Sequence, residues 1–178
     1  MRVLAGRYKS KLIRTINDPL TRPMMSKVRE SIFNSLQFKI ENKDILDLYA
    51  GSGSLGIESL SRGANFVTFI ENSDDCITIL KQNLKEFENN YKITKSSVDK
   101  FLQTSLSTYD IVFYDPPFKI ETDVVKNEVM KIYNILNTDG FVVIHRHTAS
   151  KELDTLKNYK IHKEKNYGQS NILILRKL

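Results

Sequence analysis

The chain of 178 residues is 40% hydrophobic and 27% charged, values that are ordinary for a globular domain in water. No apolar stretch approaches the ~20 residues of a membrane span, so we expect no membrane contact. The N-terminal stretch MRVLAGRYKSKL lacks the apolar segment of a secretory signal, and Cys76, as the only cysteine, cannot form an internal disulfide. These features predict one cytoplasmic domain over residues 1–178.

The excess positive charge is concentrated near the N-terminus. Lys and Arg number 27 against 21 Asp and Glu, which gives a net charge of +6. Residues 1–30 contain eight basic residues against Asp18 and Glu30, so the rest of the chain is neutral overall. Such a segment is either a contact surface for a polyanion or a solvated basic tail, and charge alone does not distinguish the two.

Helix and strand patterns alternate after an N-terminal loop, which the prolines and the Asn-Asp pair of residues 15–23 predict. An apolar stripe then predicts a first helix, formed by Ser26, Val28, Ile32, Phe33 and Leu36. Short apolar runs predict strands at 45–49, 66–70, 92–94, 111–115, 141–145, 159–164 and 171–175. Helical patterns lie between them at 54–62, 74–88, 98–105, 122–136 and 149–157.

The order of these elements predicts an α/β fold. Strands that alternate with helices form right-handed crossovers, and hence a mostly parallel sheet with helices on both faces. The last two strands are joined only by KNYGQS, which leaves no room for a helix. We therefore predict a seven-stranded, Rossmann-like sheet in which a C-terminal hairpin supplies one antiparallel strand.

The first strand runs into a glycine-rich loop that predicts a cofactor site. Gly51, Gly53 and Gly56 form G-x-G-x-x-G between a strand and a helix. In this motif the first glycine allows a tight turn, the second a close ligand, and the third close packing of helix on strand. Glu71 ends the second strand, where a carboxylate can accept hydrogen bonds from both hydroxyls of a ribose.

Asp47, inside the first strand, bears on the identity of the cofactor. A carboxylate here would repel the pyrophosphate of NAD but attract the ammonium and sulfonium charges of S-adenosylmethionine, so the pattern favours S-adenosylmethionine. The structural alternative is a carboxylate that braces the loop. For the adenine, the candidates are Ser97 or Asp99 for its amine and the Val98 amide for a ring nitrogen, although Ser97 is explained equally well as a helix N-cap.

The stretch FYDPPF, residues 113–118, ends the fourth strand and predicts an acceptor site. Ligands of open parallel sheets bind beyond the carboxyl ends of the strands, where strand order reverses. Asp115 and the Pro116 carbonyl would accept hydrogen bonds from an exocyclic base amine and aim its lone pair at a methyl donor. Pro117 would stiffen the loop, and Phe118 would stack on the base. The structural alternative is a strand end with a turn and a core phenylalanine.

Two further features predict no chemistry of their own. His145 and His147 lie two residues apart in the fifth strand, but no third residue at metal-binding spacing accompanies them. We expect an exposed strand end there and no metal. Cys76 lies at a helix start among polar residues, where we expect a small structural side chain.

Together these residues resemble a known family. The D-P-P-F motif after a glycine-rich first loop is similar to the signature of amino-group methyltransferases. More narrowly, the whole chain resembles the RsmD family, bacterial guanine-N2 methyltransferases of small-subunit (16S) ribosomal RNA. The matching segments are RVLAGRYKSKL (2–12), TRPMMSKVRESIFN (21–34), DLYAGSGSLGIESLSRGA (47–64), FIE (69–71), DPPF (115–118) and YGQSNILILRK (167–177).

The resemblance implies S-adenosylmethionine as cofactor and ribosomal RNA, within an assembling small subunit, as partner. It implies a catalytic group made of Asp115, Pro116, Pro117 and Phe118. The implied cofactor site comprises Asp47, Tyr49, Ala50, Gly51, Ser52, Gly53, Gly56, Glu71, Asn72, Ser97, Val98 and Asp115. Residues 1–40 would form a basic arm and helix at the RNA and cofactor entrance, with RNA contacts from Arg2, Arg7, Tyr8, Lys9, Lys11, Arg22 and Arg29.

Three other functions compete with this interpretation. An amino-group methyltransferase acting on adenine N6 or on a glutamine side chain would keep DPPF, but the N-terminal segment favours ribosomal RNA. A non-catalytic RNA-binding module would be expected to lose the acceptor residues, which are intact. A nicotinamide oxidoreductase would need neither Asp47 nor DPPF.

Overall fold

The computed structural model describes residues 1–16, 24–148 and 158–178. The described residues form five helices and seven strands, which are α1 (Ser26–Ser35), β1 (Asp44–Leu48), α2 (Ser54–Ser61), β2 (Phe66–Glu71), α3 (Asp74–Leu84), β3 (Tyr91–Lys95), α4 (Val98–Thr104), β4 (Tyr109–Tyr114), α5 (Thr122–Ile135), β5 (Leu136–His147), β6 (Tyr159–Tyr167) and β7 (Ser170–Lys177). The helix predicted at 149–157 and the residues Arg22 and Pro23 lie outside the described ranges. Within those ranges, no helix has the length and apolar character needed to cross a membrane.

The seven strands form one sheet in the order β3-β2-β1-β4-β5-β7-β6. Neighbouring strands from β3 to β5 pair in parallel, whereas β7 is antiparallel to both β5 and β6. The predicted parallel sheet with an antiparallel C-terminal hairpin is therefore confirmed. Because strand order reverses between β1 and β4, a crevice opens at the carboxyl ends of these two strands.

Helices cover both faces of the sheet, as the alternation of elements predicted. Apolar residues of α1, α2 and α3 pack on the face that carries Ile45 and Phe113, which we call the α2 face. Apolar residues of α4 and α5 pack on the face that carries Leu46 and Val112, which we call the α5 face. Successive strand residues point to opposite faces, so each strand contributes to both layers.

Most strand boundaries differ from the predicted ones by a few residues, and two of the differences have a local cause or consequence. β1 ends at Leu48, because Tyr49 has a φ of +58°, a left-handed conformation that interrupts the extended strand. β5 begins at Leu136, directly after α5, rather than at residue 141. The pairing of β4 with β5 shifts register between Tyr109 and Ile111, which accommodates the extra residues before Phe141.

The N-terminal segment is part of the folded domain. Val3 and Ile13 are 2% and 1% exposed, and an antiparallel bridge between Arg2 and Leu12 makes residues 1–13 a hairpin, here called the N-terminal hairpin. The fully buried Glu58 of α2 accepts hydrogen bonds from the backbone of this hairpin, at Leu4 (2.7 Å) and Ala5 (3.1 Å). The alternative of a solvated basic tail is therefore wrong.

Gly56 is the place where α2 packs most closely on the sheet, and it generates a stability prediction. A Cβ atom at this position would overlap the Phe69 ring and crowd Val67 in β2. Gly56→Ala should therefore lower the free energy of unfolding by about 1–3 kcal/mol, the usual cost of overpacking a core, as measured by chemical denaturation. The loss should be smaller in a Phe69→Leu background, where the ring edge is absent. An equal loss in both backgrounds would contradict this explanation.

Candidate active site

Three carboxylates lie at the carboxyl ends of neighbouring strands. Asp47 of β1 is paired with Phe69 of β2 on one side and with Phe113 of β4 on the other. Glu71 ends β2, and Asp115 directly follows β4. Because parallel strands end at the same edge of a sheet, the crevice at the reversal of strand order brings together the residues predicted for the cofactor and the acceptor.

Two of these carboxylates brace the glycine-rich loop. The Asp47 Oδ2 atom accepts a hydrogen bond of 2.9 Å from the Gly56 amide in the first turn of α2. The Glu71 Oε2 atom accepts one of 2.8 Å from the Gly51 amide, and its Oε1 atom accepts bonds from the amides of Asn72 and Ser73. The bracing role that the sequence left open for Asp47 is present. Each carboxylate oxygen has two lone pairs, so acceptor capacity for a ligand remains on both oxygens of Asp47 and, at Glu71, on Oε2.

The glycines of the loop serve backbone conformation and packing. Gly51 and Gly53 have φ angles of +55° and +83°, which residues with a Cβ adopt at a cost. A Cβ atom on Gly53 would also overlap the Leu80 side chain of α3. The first glycine thus makes the turn and the third packs helix on strand, as predicted. Gly53, the second glycine, is required for packing against Leu80, a role that the motif did not predict.

The electrostatics of the crevice oppose a further negative charge. Asp47 is 2% exposed, and burial raises its pKa well above the ordinary value, while the Gly56 hydrogen bond opposes that shift. The charges of Asp115 and Glu71 raise the pKa of Asp47 further. A cationic group bound here would relieve this repulsion, whereas an anion would add to it. Asp47 also occupies the N-terminal end of α2, where a dinucleotide would place its pyrophosphate.

The described hydrogen bonds of three loop residues, Tyr49, Ala50 and Ser52, connect the loop to the body of the domain. The Tyr49 hydroxyl lies 3.1 and 3.0 Å from the two carboxylate oxygens of Glu128 in α5 and donates its one proton to this carboxylate. The Ala50 amide bonds the Ile70 carbonyl, and the Ser52 carbonyl accepts a bond from the Asn83 side chain. The aromatic side chain of Tyr49 is therefore directed to the α5 face, because its left-handed φ reverses the alternation of β1.

Glu128 is a functional-site neighbour that the sequence analysis missed. It is 3% exposed and accepts hydrogen bonds from Tyr49 and, at 2.6 Å, from the hydroxyl of Tyr114. Burial, followed by the charge and hydrogen bond of Glu128, raises the pKa of both tyrosines, so these hydroxyls stay protonated donors. The only signal in the sequence was a carboxylate at an apolar position of a helix, which is too common to indicate a role.

The residues proposed for the adenine lie at the start of α4. Ser97 is the N-cap of this helix, and its hydroxyl accepts a hydrogen bond of 3.4 Å from the Lys100 amide. Val98 is buried, and the Asp99 carboxylate binds Gln103 and Lys131. Because Asp99 is already held by these two side chains, the Val98 amide and Ser97 remain the simpler candidates for contacts with adenine.

Residues 115–120, here called the acceptor loop, follow β4 at the same end of the sheet. Pro116 is buried, whereas Phe118 is 43% exposed, as a ring that stacks on an incoming base would need to be. Arg146 of β5 holds the loop from beneath, with hydrogen bonds to the carbonyls of Pro117 (3.3 Å) and Ile120 (2.7 Å). The alternative of a core phenylalanine is wrong for Phe118, and Arg146 is a support residue that the sequence analysis missed.

His145 is not at an exposed strand end, contrary to our expectation. It is 7% exposed, and its Nδ1 atom lies 2.7 Å from the Oδ1 atom of Asp115. Its Nε2 atom lies 3.0 Å from the Ser170 hydroxyl. The reason is that β7 pairs with β5 and covers its end, a contact across 25 residues of sequence that no local pattern reports. The described residues contain no group of three or more His, Cys, Asp or Glu side chains suited to a metal.

Arg29 is not available as an RNA contact in this structure. It is fully buried, and its guanidinium donates to the Arg2 carbonyl and contacts the Met1 sulfur. Burial lowers the pKa of Arg29, and the charge of Glu58 opposes this shift. This side chain therefore attaches the N-terminal hairpin to α1, which corrects the role that the resemblance implied.

The remaining basic residues of the N-terminal hairpin lie far from Asp115. The amide of Arg7 bonds the carbonyl of Ser61, the last residue of α2, at 2.8 Å. α2 starts at the glycine-rich loop and leads back to the start of β2. Its last residue therefore lies at the amino-terminal ends of the parallel strands, away from Asp115. Two ion pairs with residues after α3 also occupy this region, Arg7–Glu88 and Lys11–Glu86. One face of the Tyr8 ring packs on Phe87, whereas Arg2 and Lys9 are exposed.

Three other lysines and Tyr167 lie at the end of the sheet that carries the acceptor loop. Lys119 directly follows Phe118 and is exposed. Lys165 is paired with Ile172, the residue that also pairs with His145, so it lies level with the active site. The Lys27 ammonium lies 5.9 Å from the centre of the Tyr167 ring, which precedes the turn before Ser170. We call Lys27, Lys119, Lys165 and Tyr167 the acceptor-edge cluster.

Similarity to known proteins extends over nearly the whole chain. A family described as conserved hypothetical protein 95 matches residues 1–176. The putative rRNA methyltransferase YlbH of Bacillus subtilis is 30% identical over 182 residues, with 99% of each chain covered. The ribosomal RNA small subunit methyltransferase D of Haemophilus influenzae is 33% identical over 173 residues, with 94% of this chain and 89% of that protein covered.

A solved structure agrees with these sequence matches. The putative methyltransferase yhhF from Escherichia coli has a TM-score of 0.88 and 27% identity to this chain, with 99% of this chain and 97% of that chain covered. The similarity thus includes the N-terminal hairpin, the glycine-rich loop, the acceptor loop and the C-terminal hairpin in one arrangement. The chain belongs to the conserved hypothetical protein 95 family, the RsmD family that its motifs resemble.

Proposed function

We propose that this protein transfers the methyl group of S-adenosylmethionine to the exocyclic N2 amine of a guanine in small-subunit ribosomal RNA. The observation that carries the proposal is the position of Asp115 and the exposed Phe118 at the same sheet edge as the loop braced by Asp47 and Glu71. The names of its relatives, among them ribosomal RNA small subunit methyltransferase D, support this class of substrate.

The cofactor would lie over the glycine-rich loop. Asp47 would balance the positive charge of the methionyl portion, which fits a buried carboxylate whose pKa is raised by burial and by two neighbouring carboxylates. The Oε2 atom of Glu71 would accept a hydrogen bond from a ribose hydroxyl while it braces Gly51. Asn72 is exposed beside Glu71, and the Val98 amide with Ser97 would contact the adenine.

The acceptor loop would supply orientation rather than a strong base. Asp115 and the Pro116 carbonyl would accept hydrogen bonds from the two N–H groups of the amine, which turns its lone pair toward the methyl group. The N–C bond forms as the S–C bond of the donor breaks, and the nitrogen then releases one proton to Asp115 or to water. Phe118 would stack on the guanine after it leaves its own stack.

Ribosomal RNA, within an assembling small subunit, would approach across the acceptor-edge cluster. Its lysines lie around Phe118 and Ser170, and Tyr167 offers an aromatic side chain at the same edge. The exposed Arg2 and Lys9 would contribute contacts to more distant phosphates. An acceptor of another kind, adenine N6 or a glutamine side chain, would use the same Asp115 and proline carbonyl.

Methyl transfer itself tests the function. Wild-type protein, incubated with methyl-labelled S-adenosylmethionine, should label small-subunit ribosomal RNA or small subunits from cells that lack the protein, and the label should map to guanine N2. Asp115→Ala should lower the rate about 10²- to 10³-fold, the usual cost of losing one preorganised polar group. Asp123→Ala, an exposed carboxylate change in α5, should leave it unchanged.

The same assay separates the alternatives. If wild-type protein labels neither substrate, the proposed function fails and a non-catalytic RNA-binding module is favoured. Label on adenine instead of guanine would favour an adenine N6 methyltransferase. An Asp115→Ala variant with the wild-type rate of methyl transfer would exclude Asp115 from the reaction.

Asp47 generates a prediction for pH dependence. Asp47→Asn keeps an oxygen that can accept the Gly56 hydrogen bond but removes the charge. Since the pKa of Asp47 is raised in the folded state, its contribution to stability is full below the ordinary aspartate pKa of about 3.9 and is lost as pH rises through the folded-state pKa. Without cofactor, the variant and the wild type should have similar free energies of unfolding near pH 3.9, about the ordinary pKa of aspartate. At neutral pH the variant should have the larger free energy of unfolding, as measured by chemical denaturation.

The same variant should bind the cofactor more weakly. Loss of a charged partner costs about 1.5–3 kcal/mol, so the Kd for S-adenosylmethionine in calorimetry should rise about tenfold or more. NADH should bind neither protein. Unchanged affinity in Asp47→Asn would exclude the proposed contact with the cationic part of the cofactor.

Charge reversals test the route of the RNA. Lys119→Glu/Lys165→Glu should weaken RNA binding and reduce the slope of log K against log salt by about one to two, because two phosphate contacts are lost. Lys43→Glu/Lys160→Glu is the matched control, because Lys43 directly precedes β1 and Lys160 lies at the start of β6, at the end of the strands away from the acceptor loop. Arg7→Glu/Lys9→Glu should have a smaller effect than the acceptor-edge pair. The reverse order would show that the N-terminal hairpin makes the main contacts.

A further inference from the structure

Asp115 is held from behind by a chain of two hydrogen bonds that the proposed reaction does not require by itself. The Oδ1 atom of Asp115 lies 2.7 Å from Nδ1 of His145, and Nε2 of His145 lies 3.0 Å from the Ser170 hydroxyl. His145 and Ser170 are 7% and 8% exposed, whereas the Asp115 side chain is 30% exposed. The chain of bonds thus runs from a buried end in β7 to a carboxylate open to the acceptor crevice.

The sheet itself brings these three residues together. Tyr114 of β4 pairs with Ile144 of β5, so the next step along both strands places Asp115 opposite His145. Ser170, the first residue of β7, pairs with His147 and is therefore the diagonal neighbour of His145 across the antiparallel pair. The contact depends on the parallel pairing of β4 with β5 and on the antiparallel hairpin, both of which are rigid parts of the fold.

Hydrogen-bonding chemistry assigns the donors. An ionised carboxylate only accepts, so the Nδ1–H group of His145 donates to Oδ1 of Asp115. In the neutral imidazole Nε2 is then an acceptor, and the Ser170 hydroxyl donates to it. One oxygen of Asp115 is thereby committed to His145, and the other is left for the guanine amine.

We propose that His145, whose Nδ1–H tautomer is favoured by Asp115 and supported by the Ser170 hydroxyl, is a positioning residue that orients Asp115 toward the acceptor amine; this inference rests on the proposed function. A carboxylate attached only through Cβ rotates about two side-chain bonds, and each wrong rotamer loses the hydrogen bond that directs the nitrogen lone pair. The His145 ring also contacts Phe118 edge to face, with ring centres 5.2 Å apart. One imidazole therefore orients both the carboxylate and the stacking ring.

Three substitutions separate these contacts. His145→Phe keeps an aromatic ring beside Phe118 but removes both nitrogens, and it should lower kcat about 10- to 100-fold with little change in the KM for S-adenosylmethionine. His145→Asn keeps an N–H group near the position of Nδ1 and should recover part of this loss. Ser170→Ala removes only the second bond and should have the smallest effect. His162→Phe, in the exposed part of β6, is the matched control and should match wild type.

A double substitution distinguishes positioning from general stability. If His145 acts through Asp115, then Asp115→Asn/His145→Phe should be no slower than Asp115→Asn alone, and its melting temperature should be the same as that of His145→Phe. Independent, multiplicative losses would overturn the proposal, because they would show an effect of His145 that does not pass through Asp115. A His145→Phe variant with wild-type kcat would overturn it as well.

A measurement without substrate keeps this test separate from the proposed function. In ¹⁵N–¹H correlation spectra of the wild-type protein, His145 should carry its proton on Nδ1, and Ser170→Ala should increase the population of the other tautomer. An unprotonated Nδ1 in wild type would overturn the proposal even if methyl transfer is found. If wild-type protein labels no RNA, the proposed function fails, and a proton on Nδ1 that depends on Ser170 still supports the Asp115–His145–Ser170 chain.

Discussion

The reversal of strand order between β1 and β4 is the constraint on which the site depends. It places the ends of β1, β2 and β4 around one crevice, and the sequence puts a carboxylate at each of them: Asp47, Glu71 and Asp115. Burial raises the pKa of Asp47, the charges of Asp115 and Glu71 raise it further, and the crevice is therefore poor at holding an anion. Two of these residues, Asp47 and Glu71, also brace the glycine-rich loop, so the geometry of the loop and its preference for a cationic ligand share an origin.

Each part of the site is supported from a different layer of the domain. Glu128 of α5 accepts hydrogen bonds from the hydroxyls of Tyr49 and Tyr114. It thereby connects the glycine-rich loop to β4, the strand that leads into the acceptor loop. Arg146 holds the carbonyls of the acceptor loop from β5, and His145 of the same strand holds Asp115. Groups that must keep a fixed orientation are thus attached to central strands and a packed helix, which are the least mobile elements of such a fold.

The N-terminal hairpin shows that a concentration of basic residues in a sequence need not form an open basic surface in the structure. Basic residues are concentrated within residues 1–30 of the sequence, yet in the structure Arg29 of α1 is buried, and Arg7 and Lys11 of the hairpin have acidic partners. Exposed ion pairs of this kind are weak, but each still reduces the positive potential that a phosphate would meet. The lysines of the acceptor-edge cluster are dispersed in sequence, and only the pairing of β6 with β7 and the contact between Lys27 and Tyr167 place Lys27 and Lys165 at the same end of the sheet.

Within the described residues, the sequence alone was sufficient for the order of helices and strands, for the mostly parallel sheet with its C-terminal hairpin, and for the placement of the glycine-rich loop, Asp47, Glu71 and DPPF at one end of the sheet. These follow from local patterns, because hydrophobic period, glycine spacing and proline act over a few residues. It was not sufficient for Glu128, Arg146, His145 and Ser170, nor for the burial of Arg29. Those depend on contacts between strands and helices distant in sequence, in which a single polar residue has no local signature. Tertiary structure decided them, because register across the sheet determines which side chains meet at the acceptor carboxylate.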